Sequence, residues 1–259
     1  MVVMAPQTAI LLDVVSYILS AIILTRMPNL LPPSVVDRDL DTGLVAVQNE
    51  PGVLVTLKDK PHLQLLFLSI FVAIFIIIGF DVLSVIFVRD VIQGNENIYG
   101  ILVGMIGLGT LGGAVILMLR KKHVDPWRDI LIGMALISLI PLGPALAELV
   151  SRNIGIGLML ICNLLGGLGL GLLSTQVNTL LQVLPPPAVL GRIAGAFEST
   201  AVAGQLAGML VTPLLVPGLI SMGQYFFFSA LGIILLTAVM TIILRKMLTT
   251  PQYARSASV

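Results

Sequence analysis

The sequence predicts an all-α polytopic membrane protein with about seven transmembrane helices. Of its 259 residues, 57% are hydrophobic and only 10% are charged, which is far more apolar than a soluble domain. Seven apolar runs are each long enough to cross the roughly 30 Å hydrocarbon core of a bilayer as a helix. None of them alternates at period two, so no strand pattern competes. The runs lie near residues 8–25, 64–88, 99–119, 129–149, 154–181, 193–216 and 224–244.

Polar segments divide these spans into four parts. Residues 1–25 form the first span, and residues 26–62 are the one substantial polar segment, which we expect to be a loop along the membrane surface. Residues 63–247 hold the other six spans as a helical bundle, and residues 248–259 form a tail. Because lipid offers the backbone no hydrogen-bond partners, each span is expected to be a helix.

The distribution of basic residues predicts the orientation. Of the fourteen lysines and arginines, only Arg89 and Arg152 fall in loops on the side opposite the 26–62 loop. Lysine and arginine are retained in cytoplasmic loops, so the 26–62 loop and the C-terminus are predicted to be cytoplasmic and the N-terminus to be outside. The membrane is expected to be a bacterial plasma membrane. The net charge of +1 and the scattered basic residues argue against a nucleic-acid partner.

Ionisable residues inside the apolar runs are the main functional candidates. A charge at the bilayer centre costs on the order of 3 kcal/mol, so such residues tend to be kept for a purpose. Asp81 interrupts the second span, and its alternatives are a protonatable or substrate-facing carboxylate and a packing group bonded to serines or backbone. Glu198 is shallower, near the start of the sixth span, and its alternatives are a substrate or coupling carboxylate and one that faces headgroup water or pairs with a loop cation. We interpret Asp13, with Ser16 and Tyr17 on the same helix face, as an interhelical hydrogen-bonding group.

Uncharged polar residues on the fifth and sixth spans extend this set. Single residues of this kind usually hydrogen-bond neighbouring helices, but several on two glycine-rich helices predict a partly polar cavity. The predicted lining residues are Asn163, Gln176, Asn178 and Gln205.

Glycine pairs four residues apart predict close helix contacts. This spacing puts both glycines on one helix face and lets another backbone approach, whether for static packing or for a surface that slides. The pairs are Gly100 with Gly104, Gly109 with Gly113, Gly167 with Gly171, and Gly204 with Gly208. Gly107, Gly109 and Gly112 also spell the dinucleotide fingerprint, which we attribute to chance because no strand precedes them.

The chain offers no grouping that predicts an enzyme, a metal site or a cofactor. Cys162 is the only cysteine, which excludes an intramolecular disulfide, and it lies in an apolar run. His123 lies in a basic loop with no second ligand at a suitable spacing. An intramembrane enzyme would need two catalytic residues at a plausible spacing, and none are found.

Several stretches carry a family resemblance. The run LLDVVSYILSAIIL resembles the sixth helix of the macrolide-efflux-like, or transmembrane secretion effector, branch of the major facilitator superfamily. GLVAVQNEPGVLVTLKDKPHLQLLFL is similar to its central loop, VRDVIQGNENIYGILVGMIGLGTLGGAV to its turn into helix eight, and STQVNTLLQVLPPPAVLGRIAGAF to the entry to helix eleven. The loop LMLRKKHVDPWRD departs from the family pattern between helices eight and nine.

The resemblance implies a fold, a function and a partner. The chain would be the C-terminal half, helices six to twelve, of a transporter that works by alternating access. It would export an amphipathic small molecule in exchange for protons, with Asp81 and Glu198 as substrate or coupling groups and no cofactor. The other wall of the cavity would come from a missing N-terminal half or from a second copy. The alternative is a non-transporting membrane protein, either an inactive remnant or a helical assembly partner.

Overall fold

The computed structural model describes residues 6–26, 57, 60–93, 96–120, 125–185, 189–216 and 218–249, and all regular structure within them is helical. The chain divides into two compact units, residues 1–48 and 49–259. The first contains α1, and the second contains seven helical segments. The helices are α1 (Pro6–Thr25), α2 (Pro61–Asp90), α3 (Glu96–Leu119), α4 (Pro126–Ile137), α5 (Leu139–Ala147), α6 (Arg152–Val183), α7 (Leu190–Leu215) and α8 (Met222–Thr249).

Each of the seven predicted apolar runs coincides with a helix, with α4 and α5 as two parts of one run. Among the described residues, five helices are long and apolar enough to cross a membrane. They are Pro61–Asp90, Asn97–Leu119, Pro126–Ala147, Arg152–Val183 and Met222–Lys246. Two helices, α1 and α7, are not among these five spans. In α1 the apolar helix that can be described is the shorter segment Val14–Ile23. The count of seven spans therefore stays a prediction for α1 and α7. The predicted loop 26–62 and tail 248–259 lie largely outside the described residues.

Local sequence explains where the helices begin and break. Pro61 and Pro126 occupy the first turns of α2 and α4, where their missing N–H groups cost no hydrogen bond. The carboxylate of Asp125 accepts a hydrogen bond from the backbone N–H of Trp127 at 3.0 Å and caps α4. The break between α4 and α5 falls at Ser138 because Pro141 cannot donate to the carbonyl of Ile137.

Two helix pairs form the centre of the bundle. The most extensive contacts join α3 to α6, and α2 packs along α7. Both pairs run parallel, because residues with higher numbers in one helix meet residues with higher numbers in its partner. The α4 and α5 segments pack against α6 in the antiparallel sense, and α8 packs against α2 in the same way. In chain order, the bundle helices can be grouped as two triplets, α2–α3–α4/α5 and α6–α7–α8. The first helix of each triplet packs against the second helix of the other, whereas helices within a triplet make few contacts.

Glycines bring the backbones of these pairs together. A Cβ at Gly109 or Gly113 would overlap the backbone of α6, and one at Gly167 or Gly171 would overlap that of α3. The backbones of α3 and α6 are therefore in direct contact, as the spacing predicts.

The other predicted glycine pairs differ from one another. Gly204 and Gly208 of α7 admit the backbone of α2 at Phe71 and Phe75. Gly100 and Gly104, predicted to pack, instead face open space, with no neighbour within 4 Å among the described residues. These two glycines lie on a different face of α3 from the one that meets α6 at Leu102 and Ile106.

Aromatic side chains fill the remaining core between α2, α7 and α8. Phe87 and Phe226 are fully buried and meet edge to face, with ring centroids 5.3 Å apart. Phe67 of α2 and Phe197 of α7 make the same kind of contact at 5.3 Å. These contacts fix α7 and α8 against α2.

Candidate functional site

A cavity of about 300 Å³ lies between α2, α4, α6, α7 and α8. It lies near the middle of α2 and α8, at the end of α4, in the second half of α6 and in the first half of α7. Its wall is apolar except for Ser174, Asn178 and Glu198. The apolar lining consists of Ile70, Ala73, Ile74, Ile77, Met134, Ile137, Leu170, Leu173, Val177, Phe197, Ala201 and Ile233.

Glu198 is the charged group of this cavity. The neighbouring Phe197 is anchored against Phe67, which holds this turn of α7 beside α2. The Glu198 side chain is exposed, and no hydrogen-bond or ion-pair partner approaches it within the described part of the chain. Lysine and arginine residues are absent from the described lining. The carboxylate is thus free to attract a cation at the mouth of an apolar space.

The two uncharged polar residues of the cavity bond to their own helix. The Nδ2 atom of Asn178 donates to the carbonyl of Ser174 at 2.9 Å, and the Ser174 hydroxyl is 3.4 Å from the carbonyl of Gly171. Their donors are therefore used locally, and their oxygens add acceptors rather than positive charge to the wall. The Glu198 carboxylate and these acceptor oxygens make the cavity more attractive to a cation than to an anion.

Asp81 lies on the same face of α2 as Ile74 and Ile77, about two turns after Ile74 and one turn after Ile77. It is exposed and does not line the cavity, and among the described residues its carboxylate has no partner. Gly204 of α7 packs on Phe71 of α2, and the two helices run parallel. Glu198 comes six residues before Gly204, so it is level with the second turn of α2. Asp81 is then roughly 24 Å away along the axis, at 1.5 Å per residue. The structure does not bring the two predicted carboxylates together.

Only Asn178 of the four predicted lining residues reaches this cavity. The Nδ2 atom of Asn163 donates to the carbonyl of Leu102 at 3.1 Å, buried between α6 and α3. Gln176 is turned away and binds Asp129. Gln205 is exposed on the same face of α7 as Glu198, two turns on. Asn163 and Gln176 are thus interhelical hydrogen-bonding groups, which is the commoner role of such residues.

Asp129 is a buried charge that the sequence analysis missed. Its carboxylate is 1% exposed and accepts hydrogen bonds from Nη1 of Arg120 at 2.8 and 3.0 Å and from Nε2 of Gln176 at 3.0 Å. The predicted fourth span begins at Asp129, but no role was assigned to this residue from the sequence. The Asp125–Pro126 pair is a helix-start signal that puts Asp129 in the first turn of α4, where the helix dipole favours a carboxylate.

Further contacts close the same end of the bundle. Nζ of Lys60, just before α2, donates to the carbonyl of Leu184 at the end of α6. The rings of His62 and Trp127 lie with their centroids 5.7 Å apart and link the starts of α2 and α4. Together with the Asp129 cluster, these contacts join the ends of α2, α3, α4 and α6.

A second cavity, of about 310 Å³, lies on another face of α2, between α2, α7 and α8. The hydroxyls of Thr212 and Tyr225 are 3.2 Å apart, and Thr212 also donates to the carbonyl of Gly208 at 2.8 Å. Gly79 leaves the space that the Tyr225 ring occupies. Because these hydroxyls satisfy one another, the cluster has a structural role, and the first cavity is the better candidate site.

The described residues hold no group of three histidine, cysteine, aspartate or glutamate side chains that could bind a metal ion. The side chain of Asp13 lies outside those that the structure describes. Comparison with known proteins finds no family model, no curated protein and no solved structure that matches this chain.

Proposed function

We propose that the chain is a transporter of the major facilitator type that exports an amphipathic small molecule in exchange for protons. The observation that carries the proposal is that the first helix of each triplet pairs in parallel with the second helix of the other, beside a cavity that reaches the middle of α2. In such transporters, each six-helix half is built from two three-helix repeats of inverted topology, with substrate and coupling groups near the bilayer midplane.

The pairing pattern supports an inverted repeat. A two-fold operation that exchanges the triplets would turn the α2–α7 pair into the α6–α3 pair, and these are the two parallel central pairs. It would also turn the contact of α4/α5 with α6 into that of α8 with α2, and both occur. Consecutive helices joined by short connections alternate in direction, so α2 and α6 start on opposite sides of the membrane under this proposal.

Asp81 is the proposed coupling carboxylate, with Glu198 as the substrate group. Asp81 lies in an apolar helix on the face that continues from the cavity, and a carboxylate without a cation partner can gain and release a proton as its surroundings change from wet to dry. The second wall of the pathway is proposed to be another six-helix bundle, from a second copy or an N-terminal half. The C-terminus faces the cytoplasm.

A direct test is proton-dependent efflux of ethidium from cells that express the full chain. We expect efflux that a protonophore abolishes and that Asp81→Asn reduces to the level of cells without the protein. Asp90→Asn is the matched control on the same helix, because Asp90 pairs with Arg89 at the exposed helix end and should leave efflux unchanged. Efflux only from a chain extended by the upstream coding sequence would assign the second wall to an N-terminal half.

A non-transporting assembly protein is the second candidate. The observation that favours it is the open surface of α3, where Gly100, Gly104 and Gly107 have no neighbour within 4 Å among the described residues. Such a surface suits the approach of another helix. Normal membrane insertion without efflux, from either the chain or its extended form, would contradict the transport proposal and favour this one.

A further inference from the structure

The first cavity combines an apolar wall with a single charge. Apolar side chains from α2, α4, α6, α7 and α8 surround it, and Glu198 is the one charged residue of its described lining. Small-molecule sites have this composition: a mostly hydrophobic concave surface with a few polar groups that fix the ligand's orientation. Its volume of about 300 Å³ is at the lower end of the range for such sites.

The negative charge of Glu198 in the cavity wall favours a positively charged ligand. A carboxylate at the edge of an apolar space attracts a cation more strongly than one surrounded by water, because the apolar wall screens its charge less. The described residues provide Glu198 with no cationic partner, whereas the buried carboxylate of this bundle, Asp129, has one in Arg120. A ligand with one positive charge and an apolar body would supply the missing partner and fill the cavity.

We propose that this cavity binds an amphipathic organic monocation, with its charge at Glu198 and its apolar body between α2, α4 and α6. Under this inference, the lining residues of one chain suffice for binding. The inference deepens the proposed transport function, because it names the substrate class. The binding step itself can be measured without transport.

Two ions of the same shape and opposite charge make the test. Tetraphenylphosphonium and tetraphenylborate are equally bulky and apolar, so a difference between them reports the charge of the site. Each is measured by equilibrium dialysis against the purified full chain in a neutral detergent. We expect saturable binding of about one cation per chain, at least about tenfold tighter than the anion, as expected for one carboxylate in a site of low polarity.

Variants locate the site. Glu198→Gln keeps the side-chain size and should weaken cation binding about tenfold, while binding of the anion stays the same or tightens. Glu148→Gln, at another exposed glutamate, is the charge control and should change nothing. Ala201→Phe places a ring in the cavity and should abolish cation binding, whereas Ala203→Phe on the exposed face of α7 should not.

The outcomes separate this inference from the proposed function. Equal binding of both ions, or cation binding that Glu198→Gln leaves unchanged, would overturn the inference. Glu198-dependent binding without ethidium efflux from cells would support the inference and refute transport. Efflux without Glu198-dependent binding would support transport and refute the inference.

Discussion

Both parallel helix pairs of the bundle meet through glycines, but the carboxylates beside them differ. At the end of the α3–α6 interface, the carboxylate of Asp129 is 1% exposed and is paired with Arg120 and Gln176. Beside α2 and α7, a cavity remains open, and its carboxylate, Glu198, is exposed and has no partner among the described residues. We therefore expect substitutions in the Asp129 cluster to affect stability and substitutions at Glu198 to affect binding.

The largest expected effect concerns the paired carboxylate. Arg120→Ala would leave the buried charge of Asp129 with Gln176 alone, and breaking a buried ion pair in this way costs about 3 kcal/mol. We expect a marked fall in the midpoint of thermal unfolding in detergent. Arg128→Ala removes an exposed arginine of the same segment and should change stability by less than about 0.5 kcal/mol. Equal effects of the two variants would show that the Asp129 cluster has no special role.

The glycine interface should give the next largest effect. Gly171→Ala adds a Cβ that overlaps the backbone at Thr110, and overpacking of this kind costs about 2 kcal/mol. Gly104→Ala adds the same atom where no described residue lies within 4 Å, so stability should stay the same or rise by up to about 1 kcal/mol through helix propensity. Thermal unfolding of both variants would measure the difference, and a Gly171→Ala protein as stable as the wild type would contradict a backbone contact between α3 and α6.

The smallest expected effect is on the unpaired carboxylate. Glu198→Gln removes a charge that has no described partner, so the stability without ligand should change by less than about 0.5 kcal/mol. The same substitution is expected to weaken monocation binding. Unfolding measured with and without tetraphenylphosphonium checks both points, since a ligand stabilises only the protein that binds it. A large loss of stability without ligand would assign Glu198 a structural role instead.

The helices could be predicted closely from the sequence because long apolar runs leave the backbone no alternative to internal hydrogen bonds. Their pairing could not be predicted in the same way. A glycine pair indicates that one face of a helix admits a neighbour, but it does not say which neighbour. Thus Gly109 and Gly167 meet at one interface, whereas Gly100 faces open space.

The site was harder to predict, because it depends on register between helices distant in sequence. Asp81 and Glu198 share apolar surroundings, but the parallel register of α2 and α7 puts them at different levels. Gln176 and Asn178 are two residues apart on α6, so they face different directions, one toward Asp129 and the other toward the cavity. A helix-start signal at Asp125 and Pro126 was present and would have placed Asp129 correctly.

Under the proposed inverted repeat, the two helix triplets cross the membrane in opposite orientations. Among the bundle helices, α7 is the one that is not apolar enough to be identified as a span from its composition. The most direct test is the labelling of single cysteines by a membrane-impermeant maleimide, in the Cys162→Ala background. We expect Ser151→Cys and Ser221→Cys to react in intact cells, and Arg128→Cys and Gly191→Cys to react only after permeabilisation. Reaction of positions 191 and 221 from the same side would show that α7 does not cross, and would contradict the inverted triplets and the transport proposal that rests on them.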